Sequence, residues 1–209
     1  MEIADIINNV NVYGLEESIR GAKFPMATDV NKLNSELTNG IKNLALSNPG
    51  EGHDQWLTGV IVQFDLTFTV KAWTEAERYH FFDFVSSQST MHRITRFDLD
   101  NAYIKYVDSR IIKIMKEKVA EYNKLLARAE GGDDSVKDEM AQKYLEILYN
   151  NPCGFKLTAR MTTNYRQLRG IFIQRHTHRL PEWRAFCKWI LTLPQSELIV
   201  GDCPPVIKD

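Results

Sequence analysis

From Val60 to Val70, apolar and polar side chains alternate along the chain. Val60, Val62 and Phe64 begin an apolar series that continues at every second position, and the intervening residues are polar after Ile61. A period of two places the series on one face of a β-strand. A strand with one apolar face is typical of an antiparallel or mixed sheet covered on one side. We therefore predict an α/β (α+β) fold, with helices packed on an antiparallel or mixed sheet around this long central strand.

The segment after this strand has the pattern of a helix start. Thr74-Glu-Ala-Glu77 is a capping box, in which Thr74 would bond the amide of Glu77 and the Glu77 carboxylate would reach back. We expect this helix to run to about Val85. The small and polar residues Ser86–Thr90 then indicate a loop or a cap for the next element.

A helical hairpin is predicted over residues 108–150. Apolar residues recur at helical spacing from Asp108 to Arg128, and a second stripe runs from Val136 to Leu148. Gly131–Asp134 separates the two helices, and Asn151-Pro152 ends the second. We place this hairpin within a single domain spanning 1–209, with a loose tail over 201–209.

The N-terminal pattern is weaker. Ile3–Val12 fits a short strand or a helix, and both remain open. Leu33–Leu46 has helical spacing and precedes a loop at Asn48–Gly52.

Two further helices are predicted near the C-terminus. Thr162 or Thr163 would cap a helix from Asn164 to about His176. Pro181 suits the first turn of a last helix, which Pro194 ends.

Composition narrows the function classes. The 209 residues are 44% hydrophobic and 25% charged, as in ordinary globular proteins. The net charge of −1 argues against a general nucleic-acid-binding protein.

The cysteines and the N-terminus bear on the compartment. The chain has three cysteines, Cys153, Cys187 and Cys203, and an odd number favours a reducing compartment over a disulfide framework. The acidic start lacks the features of a signal peptide, and no apolar run reaches the roughly 20 residues of a membrane span. We expect a cytoplasmic protein without membrane contact.

Arginines cluster in the C-terminal third and are candidates for anion binding. They are Arg160, Arg166, Arg169, Arg175, Arg179 and Arg184. Guanidinium forks suit phosphate or carboxylate groups. The alternative is a solvated basic face whose members pair with acids elsewhere.

Three smaller patterns could also serve either a ligand or the local structure. The hydroxyls of Ser86–Arg93 could line a polar pocket or could only terminate a helix. His53-Asp54 could contact a ligand or form a turn. His176 and His178 would diverge by about 200° on a helix, so we predict no metal site there. The chain has no glycine-rich dinucleotide loop and no P-loop, so a nucleotide site would need arginines, hydroxyls and helix ends.

These residues resemble blocks of the flavin-dependent thymidylate synthases. The parallels run in chain order from residue 53 to about 193, and the C-terminal block is the most specific. They are His53-Asp54, Leu66-Thr-Phe-Thr-Val70, Arg78, Ser87, Asn164-Tyr-Arg-Gln-Leu168, Arg175 and Glu182-Trp-Arg184.

The chain departs from that family at its signature. Phe82-Asp83-Phe84 stands where the family has Arg-His-Arg, and Ser87-Gln-Ser-Thr90 stands for Ser-x-Asn-Glu. Arg96-Phe97 matches the closing Arg-Tyr after a one-residue shift. The family uses these residues to hold flavin and nucleotide.

The resemblance implies a homotetramer that uses FAD to methylate dUMP or a related nucleotide. It implies catalytic roles for Arg175 and Ser87 and FAD contacts for His53, Asn164 and Arg166. The nucleotide would contact Arg78, Arg96 and Arg175. The alternative is a non-catalytic homo-oligomeric binding or regulatory protein, for example a phage accessory factor, that keeps the fold without the flavin signature.

Overall fold

The computed structural model describes residues 1–48 and 50–208. Its strands are β1 (Ile7–Tyr13), β2 (Ile61–Thr69), β3 (Asp83–Ser87) and β4 (Lys156–Asn164). Its α-helices are α1 (Leu15–Ala22), α2 (Asn39–Ala45), α3 (Val70–Ala76), α4 (Thr90–Arg93), α5 (Ser109–Glu130), α6 (Lys137–Asn150), α7 (Tyr165–Arg175), α8 (Pro181–Ile190) and α9 (Glu197–Val200). A short 3-10 helix, Gln55–Gly59, precedes β2.

The four strands form one antiparallel sheet in the order β1-β2-β4-β3. In the β1–β2 pair, Ile7 lies opposite Leu66 and Tyr13 lies opposite Ile61. The β2–β4 pair also runs in opposite directions, because Tyr165 N donates to Val60 O and Val70 N donates to Phe155 O. The predicted α/β fold with an antiparallel sheet and a long inner strand is confirmed.

The inner strand β2 has the predicted one-sided burial. Val62, Phe64, Leu66 and Phe68 are fully buried, and the residues between them are partly exposed. The segment Ile3–Val12, which by sequence fits a strand or a helix, includes a 3-10 helix at Ile3–Asp5 and all of β1 except Tyr13.

The helix after β2 starts earlier than the capping box indicated, so that prediction is wrong. The Thr69 hydroxyl accepts from Ala72 N at 3.2 Å, which places the cap at the end of the strand. Thr74 lies inside α3 and donates to Lys71 O at 2.8 Å. The chain leaves the helix at Ala76 and forms strand β3, so Val85, Ser86 and Ser87 are strand residues, not a helix end and loop.

Two other boundaries also differ. Only Asn39–Ala45 of the predicted Leu33–Leu46 helix is helical, because Thr38 caps it by accepting from Ile41 N. Asn164, not Thr162 or Thr163, caps α7, and the Thr163 hydroxyl instead donates to Phe81 O. The predicted Asn48–Gly52 loop includes Pro49, which lies outside the described residues, and the predicted tail likewise includes Asp209.

The chain divides into two compact units. The first unit comprises residues 1–67, 75–86 and 159–209, and the second comprises 68–74 and 87–158. The single-domain description of 1–209 stays a prediction. In the second unit, α5 and α6 form the predicted hairpin, which packs on a core that includes Met115, Ile147 and Phe155.

In the first unit, aromatic side chains from β2 and α8 form the centre of the core. Phe64 packs on Phe186 and Trp189, with ring centroids 5.9 and 4.6 Å apart. Pro181 occupies the first turn of α8 as predicted, and α7 packs beside α8. This packing fixes α7, which carries the arginines of the candidate site.

None of the helices within residues 1–48 and 50–208 is long and apolar enough to span a membrane.

Candidate functional site

The first unit contains a cleft of about 680 Å³. One wall comes from the segment before β2 and its first residue, the second from the turn that precedes β3, and the third from one side of α7. The lining residues are Gly50, Asp54, Gln55, Thr58, Ile61, His80, Phe81, Asn164, Arg166, Gln167, Arg169, Gly170 and Ile173. Its volume lies within the range of small-molecule sites.

A buried carboxylate joins two walls of this cleft. Asp54 Oδ1 accepts from Arg166 Nε and its Oδ2 accepts from Arg169 Nη1, both at 3.1 Å. Arg169 also donates from Nη2 to Ser47 O at 2.7 Å. The helix α7 positions both guanidinium groups, because residues three apart lie on one helical face.

Arg166 is the cation of this group that remains open to the cleft. Its side chain is 40% exposed, against 12% for Arg169. Among the residues that the structure describes, no group accepts from its two Nη atoms. The lining has one carboxylate and two guanidinium groups, whose charges sum to +1. The unengaged end of Arg166 is therefore a donor fork for an anion.

Asn164 lies at the N-terminus of α7 and lines the same cleft. Its Oδ1 accepts from Gln167 N at 2.9 Å, and the residue is 7% exposed. The N-terminal end of α7 adds a positive dipole beside Arg166. Asn164 and Arg166, both predicted to contact a cofactor, are thus brought together.

The turn before β3 has an unusual backbone at the cleft. Phe81 has φ of 57°, in the left-handed region that a bulky residue seldom adopts. Its carbonyl accepts from the Thr163 hydroxyl at 2.7 Å, which holds the turn in place. The Phe81 side chain remains 67% exposed. Strain held by a neighbouring hydrogen bond is a feature of functional sites.

Arg175 lies elsewhere in the first unit and is 4% exposed. Its Nε donates to the Tyr79 hydroxyl at 2.6 Å, and its Nη atoms donate to the side chain and carbonyl of Glu75. Its guanidinium also stacks on Trp183, 4.9 Å from the ring centroid. Arg175 does not line the cleft, and its predicted roles in catalysis and substrate binding stay predictions.

The remaining predicted residues are placed as follows. In the first unit, Arg78 is exposed and pairs with Glu75 at 3.1 Å, and His53 is exposed next to Asp54 without lining the cleft. In the second unit, Ser87 ends β3 and Arg96 lines a separate cleft within that unit. The structure therefore gathers Asn164 and Arg166 at one cleft, and the roles assigned to the other residues stay predictions.

The histidine pair has local structural contacts. His176 Nδ1 lies 3.0 Å from Phe172 O, and His178 Nδ1 accepts from Leu180 N at 3.2 Å. Across residues 1–48 and 50–208, no group of three or more His, Cys, Asp or Glu side chains is arranged to hold a metal ion.

Of the two interpretations of the arginine cluster, pairing with acids describes some of its members and an open anion site describes another. Arg160 pairs with Asp65 at 3.2 Å, and Arg169 and Arg175 pair with Asp54 and Glu75. Arg166 is the more exposed of the two cleft arginines, and both of its Nη atoms lack an acceptor among the described residues, as an anion site requires.

Sequence reasoning did not identify Asp54 as the partner of these arginines or His80 and Phe81 as cleft residues. In the sequence Asp54 stands beside His53, and its arginine partners lie more than a hundred residues away in the chain. One signal was available. An acid before a strand and two arginines three apart on a helix form a charge-complementary set.

Solved structures share this fold. The flavin-dependent thymidylate synthase ThyX from Helicobacter pylori, solved with FAD and dUMP, has a TM-score of 0.65 and 14% identity, covering 95% of this chain and 100% of that one. A second structure of that ThyX with FAD and dUMP gives a TM-score of 0.64, 12% identity and coverage of 94% and 96%. The UMP/dUMP methylase PolB from Streptomyces cacaoi, bound with 5-Br dUMP, has a TM-score of 0.55 and 17% identity. The match covers 90% of this chain and 87% of that one.

No protein-family model matches the sequence. No curated protein matches it either. The similarity therefore establishes a divergent ThyX-like fold, as the sequence blocks predicted.

Proposed function

We propose that this chain, which has the ThyX-like fold, binds a pyrimidine nucleotide such as dUMP or UMP in the cleft beside α7. The observation that carries this proposal is Arg166, whose Nη atoms face no acceptor among the described residues while Asp54 holds its Nε. A guanidinium anchored through one nitrogen keeps its orientation and presents the others to a ligand. The three solved structures compared above contain dUMP or 5-Br dUMP.

The cleft has groups for each part of such a ligand. The phosphate would accept from Arg166 near the N-terminus of α7. The base is flat and would pack on Phe81 and Ile173, both of which are exposed in the lining. Gln55 and Gln167 have side-chain amides that can both donate to and accept from a pyrimidine edge.

The cleft also has groups for a flavin, which the H. pylori structures contain as FAD. Asn164 and the N-terminal end of α7 would lie beside its phosphates and Ile61 would offer apolar surface to its ring system, while Arg166 and Phe81 hold the nucleotide. A bound reduced flavin supplies hydride chemistry that protein side chains lack. The chain's contribution would be to bind, orient and exclude water from the reacting groups. A flavin-dependent methylation of dUMP or a related nucleotide is the enzyme form of the proposal.

A non-catalytic form is favoured by one observation. Phe82-Asp83-Phe84 replaces two arginines of the family signature, and Phe82 is buried against Phe186 with ring centroids 5.7 Å apart. This core position gives a structural role to a residue where the family uses charge. The alternative is therefore a homo-oligomeric binding or regulatory protein that binds nucleotide without flavin.

Calorimetric titration of the purified chain tests the proposal. We expect dUMP to bind with one site per chain and deoxyuridine, which lacks the phosphate, to bind at least tenfold more weakly. Equal affinity for the two would contradict a phosphate site. Flavin absorbance after incubation with FAD and gel filtration separates the two forms. Retained flavin supports the enzyme, and dUMP binding without retained flavin supports the binding protein.

A further inference from the structure

A second cleft, of about 540 Å³, lies entirely within the second unit. The segment around α4 forms one wall, and the facing sides of α5 and α6 form the other. Its lining residues are Met91, His92, Thr95, Arg96, Tyr122, Leu126, Met140, Ala141, Tyr144 and Leu145. The nucleotide proposal places no ligand group in this cleft, although the family resemblance implies a nucleotide contact for Arg96 of its lining.

Most of the cleft surface is apolar. Leu126 from α5 and Met140 and Leu145 from α6 form the hairpin side. Tyr122 and Tyr144 extend this surface, with ring centroids 5.1 Å apart. Met91 is 61% exposed and Leu145 is 49% exposed, so both leave apolar area open to a ligand. Flexible methionine side chains at such a surface adapt to the shape of an apolar ligand.

The polar part of the cleft is cationic. The lining includes Arg96 and His92 and no acid. Among the described residues, no carboxylate pairs with Arg96. Two acids of the neighbouring helices are engaged by lysines, Glu121 by Lys143 at 3.1 Å and Glu146 by Lys118 at 2.8 Å. A cation beside an apolar surface, with no acid in the lining to compensate it, favours an anionic group on an apolar ligand.

The wall that carries Arg96 is fixed to the hairpin. The Tyr144 hydroxyl donates to Met91 O at 3.0 Å, which ties the α4 segment to α6. Burial raises the pKa of Tyr144, and the charges of Arg93 and Arg96 oppose that rise. The tyrosine therefore acts as a neutral donor to this carbonyl, and the cleft keeps its shape before a ligand enters.

We propose that this cleft binds a small amphipathic anion. An aromatic or aliphatic body would pack on Leu126, Met140 and Leu145, and a carboxylate, sulfonate or phosphate would accept from Arg96. The proposal is independent of the nucleotide site, because the lining residues of the two clefts belong to different units.

Two related dyes test it. Anilinonaphthalene sulfonate has an aromatic body with one anionic group, and N-phenyl-1-naphthylamine has nearly the same body without it. We expect one sulfonate dye per chain by fluorescence titration, bound about tenfold more weakly after Arg96→Gln. The uncharged dye should bind the wild type and Arg96→Gln equally. Lys124→Gln removes a charge from an exposed position on α5 outside the lining and should leave both affinities unchanged.

A second variant tests the location. Ala141 is exposed on α6, so Ala141→Trp should fill the cleft without affecting folding, as an unchanged melting temperature would show. We expect this variant to lose both dyes. Sulfonate-dye binding that is unaffected by Arg96→Gln or Ala141→Trp, or absent at millimolar dye, would overturn the proposal. Displacement of the dye by dUMP would also overturn it, because the cleft would then be a nucleotide site.

Discussion

The carboxylate of Asp54 and the guanidinium of Arg169 lie 3.1 Å apart, and their side chains are only 11% and 12% exposed. The pair joins the segment before β2 to helix α7 and thereby sets the width of the candidate cleft. The same carboxylate holds Arg166, so one acid orders both cations of the site.

Asp54→Asn should lower the free energy of unfolding by about 3 kcal/mol, because it leaves Arg169 buried without its counter-charge. Urea denaturation followed by circular dichroism measures this change. Glu117→Gln is the matched control, since its pair with Lys113 is 3.9 Å long and largely exposed, and its effect should stay within about 0.5 kcal/mol. Equal small losses for the two variants would show that the Asp54 pair adds little to stability.

Arg175→Lys should lower the free energy of unfolding by about 2 kcal/mol. Lysine keeps the charge but cannot bond Tyr79 and Glu75 together while stacking on Trp183. Arg78→Lys alters an exposed partner of the same Glu75 carboxylate and should change stability by less than about 0.5 kcal/mol. The two melting curves measure this difference, and a stable Arg175→Lys protein with lost nucleotide affinity would instead favour the predicted binding role of Arg175.

The N-terminal cap of α3 tests directly whether this helix starts after Thr69 or at Thr74. Thr69→Val removes the hydroxyl that accepts from Ala72 N and should cost about 1 kcal/mol. Thr74→Val makes the same chemical change inside the helix and should cost less than about 0.5 kcal/mol. Chemical denaturation of both variants gives the comparison. A larger loss at Thr74 would restore the capping box as the true helix start.

His178 should make the protein less stable as the pH falls. Burial, followed by the nearby charge of Arg175, lowers the pKa of His178 in the folded state. The unfolded chain therefore binds a proton first, near its ordinary pKa of about 6.5, and stability present above that pH is lost on acidification. Protonation would also remove the acceptor that Leu180 N uses.

The comparison of wild type with His178→Asn isolates this contribution. Melting temperatures measured from pH 7.5 to pH 5 should fall more steeply for the wild type than for the variant, because asparagine accepts from the Leu180 amide without titrating. Parallel slopes for the two proteins would contradict a lowered pKa at His178.

The parts of the fold that the sequence predicted well are those with strong one-sided burial. β2 and the α5–α6 hairpin each bury one apolar face, and their periodicity follows directly. In contrast, all residues of β3 are exposed, so no alternation marks it as a strand. β4 buries Ala159, Met161 and Thr163, of which only Met161 is large and apolar, so pairing with its neighbours specifies it.

The candidate site was only partly predictable for a related reason. Asn164 and Arg166 are adjacent to a helix start. The spacing of the arginines indicates Arg166, and the family resemblance indicates both residues. The Asp54 pairs depend on residues brought together by the fold, and the open end of Arg166 follows from them. For Arg175, residue type alone could not separate a ligand contact from a buried structural cation.

Titration of dUMP into the Arg166→Gln variant tests the central claim most directly. Arg179→Gln is the matched control, because Arg179 is exposed and does not line the cleft. The nucleotide proposal predicts that Arg166→Gln binds dUMP about tenfold more weakly than the wild type or more, with Arg179→Gln unchanged. Wild-type affinity in Arg166→Gln, or an equal loss in both variants, would contradict the proposal that the cleft beside α7 binds the phosphate.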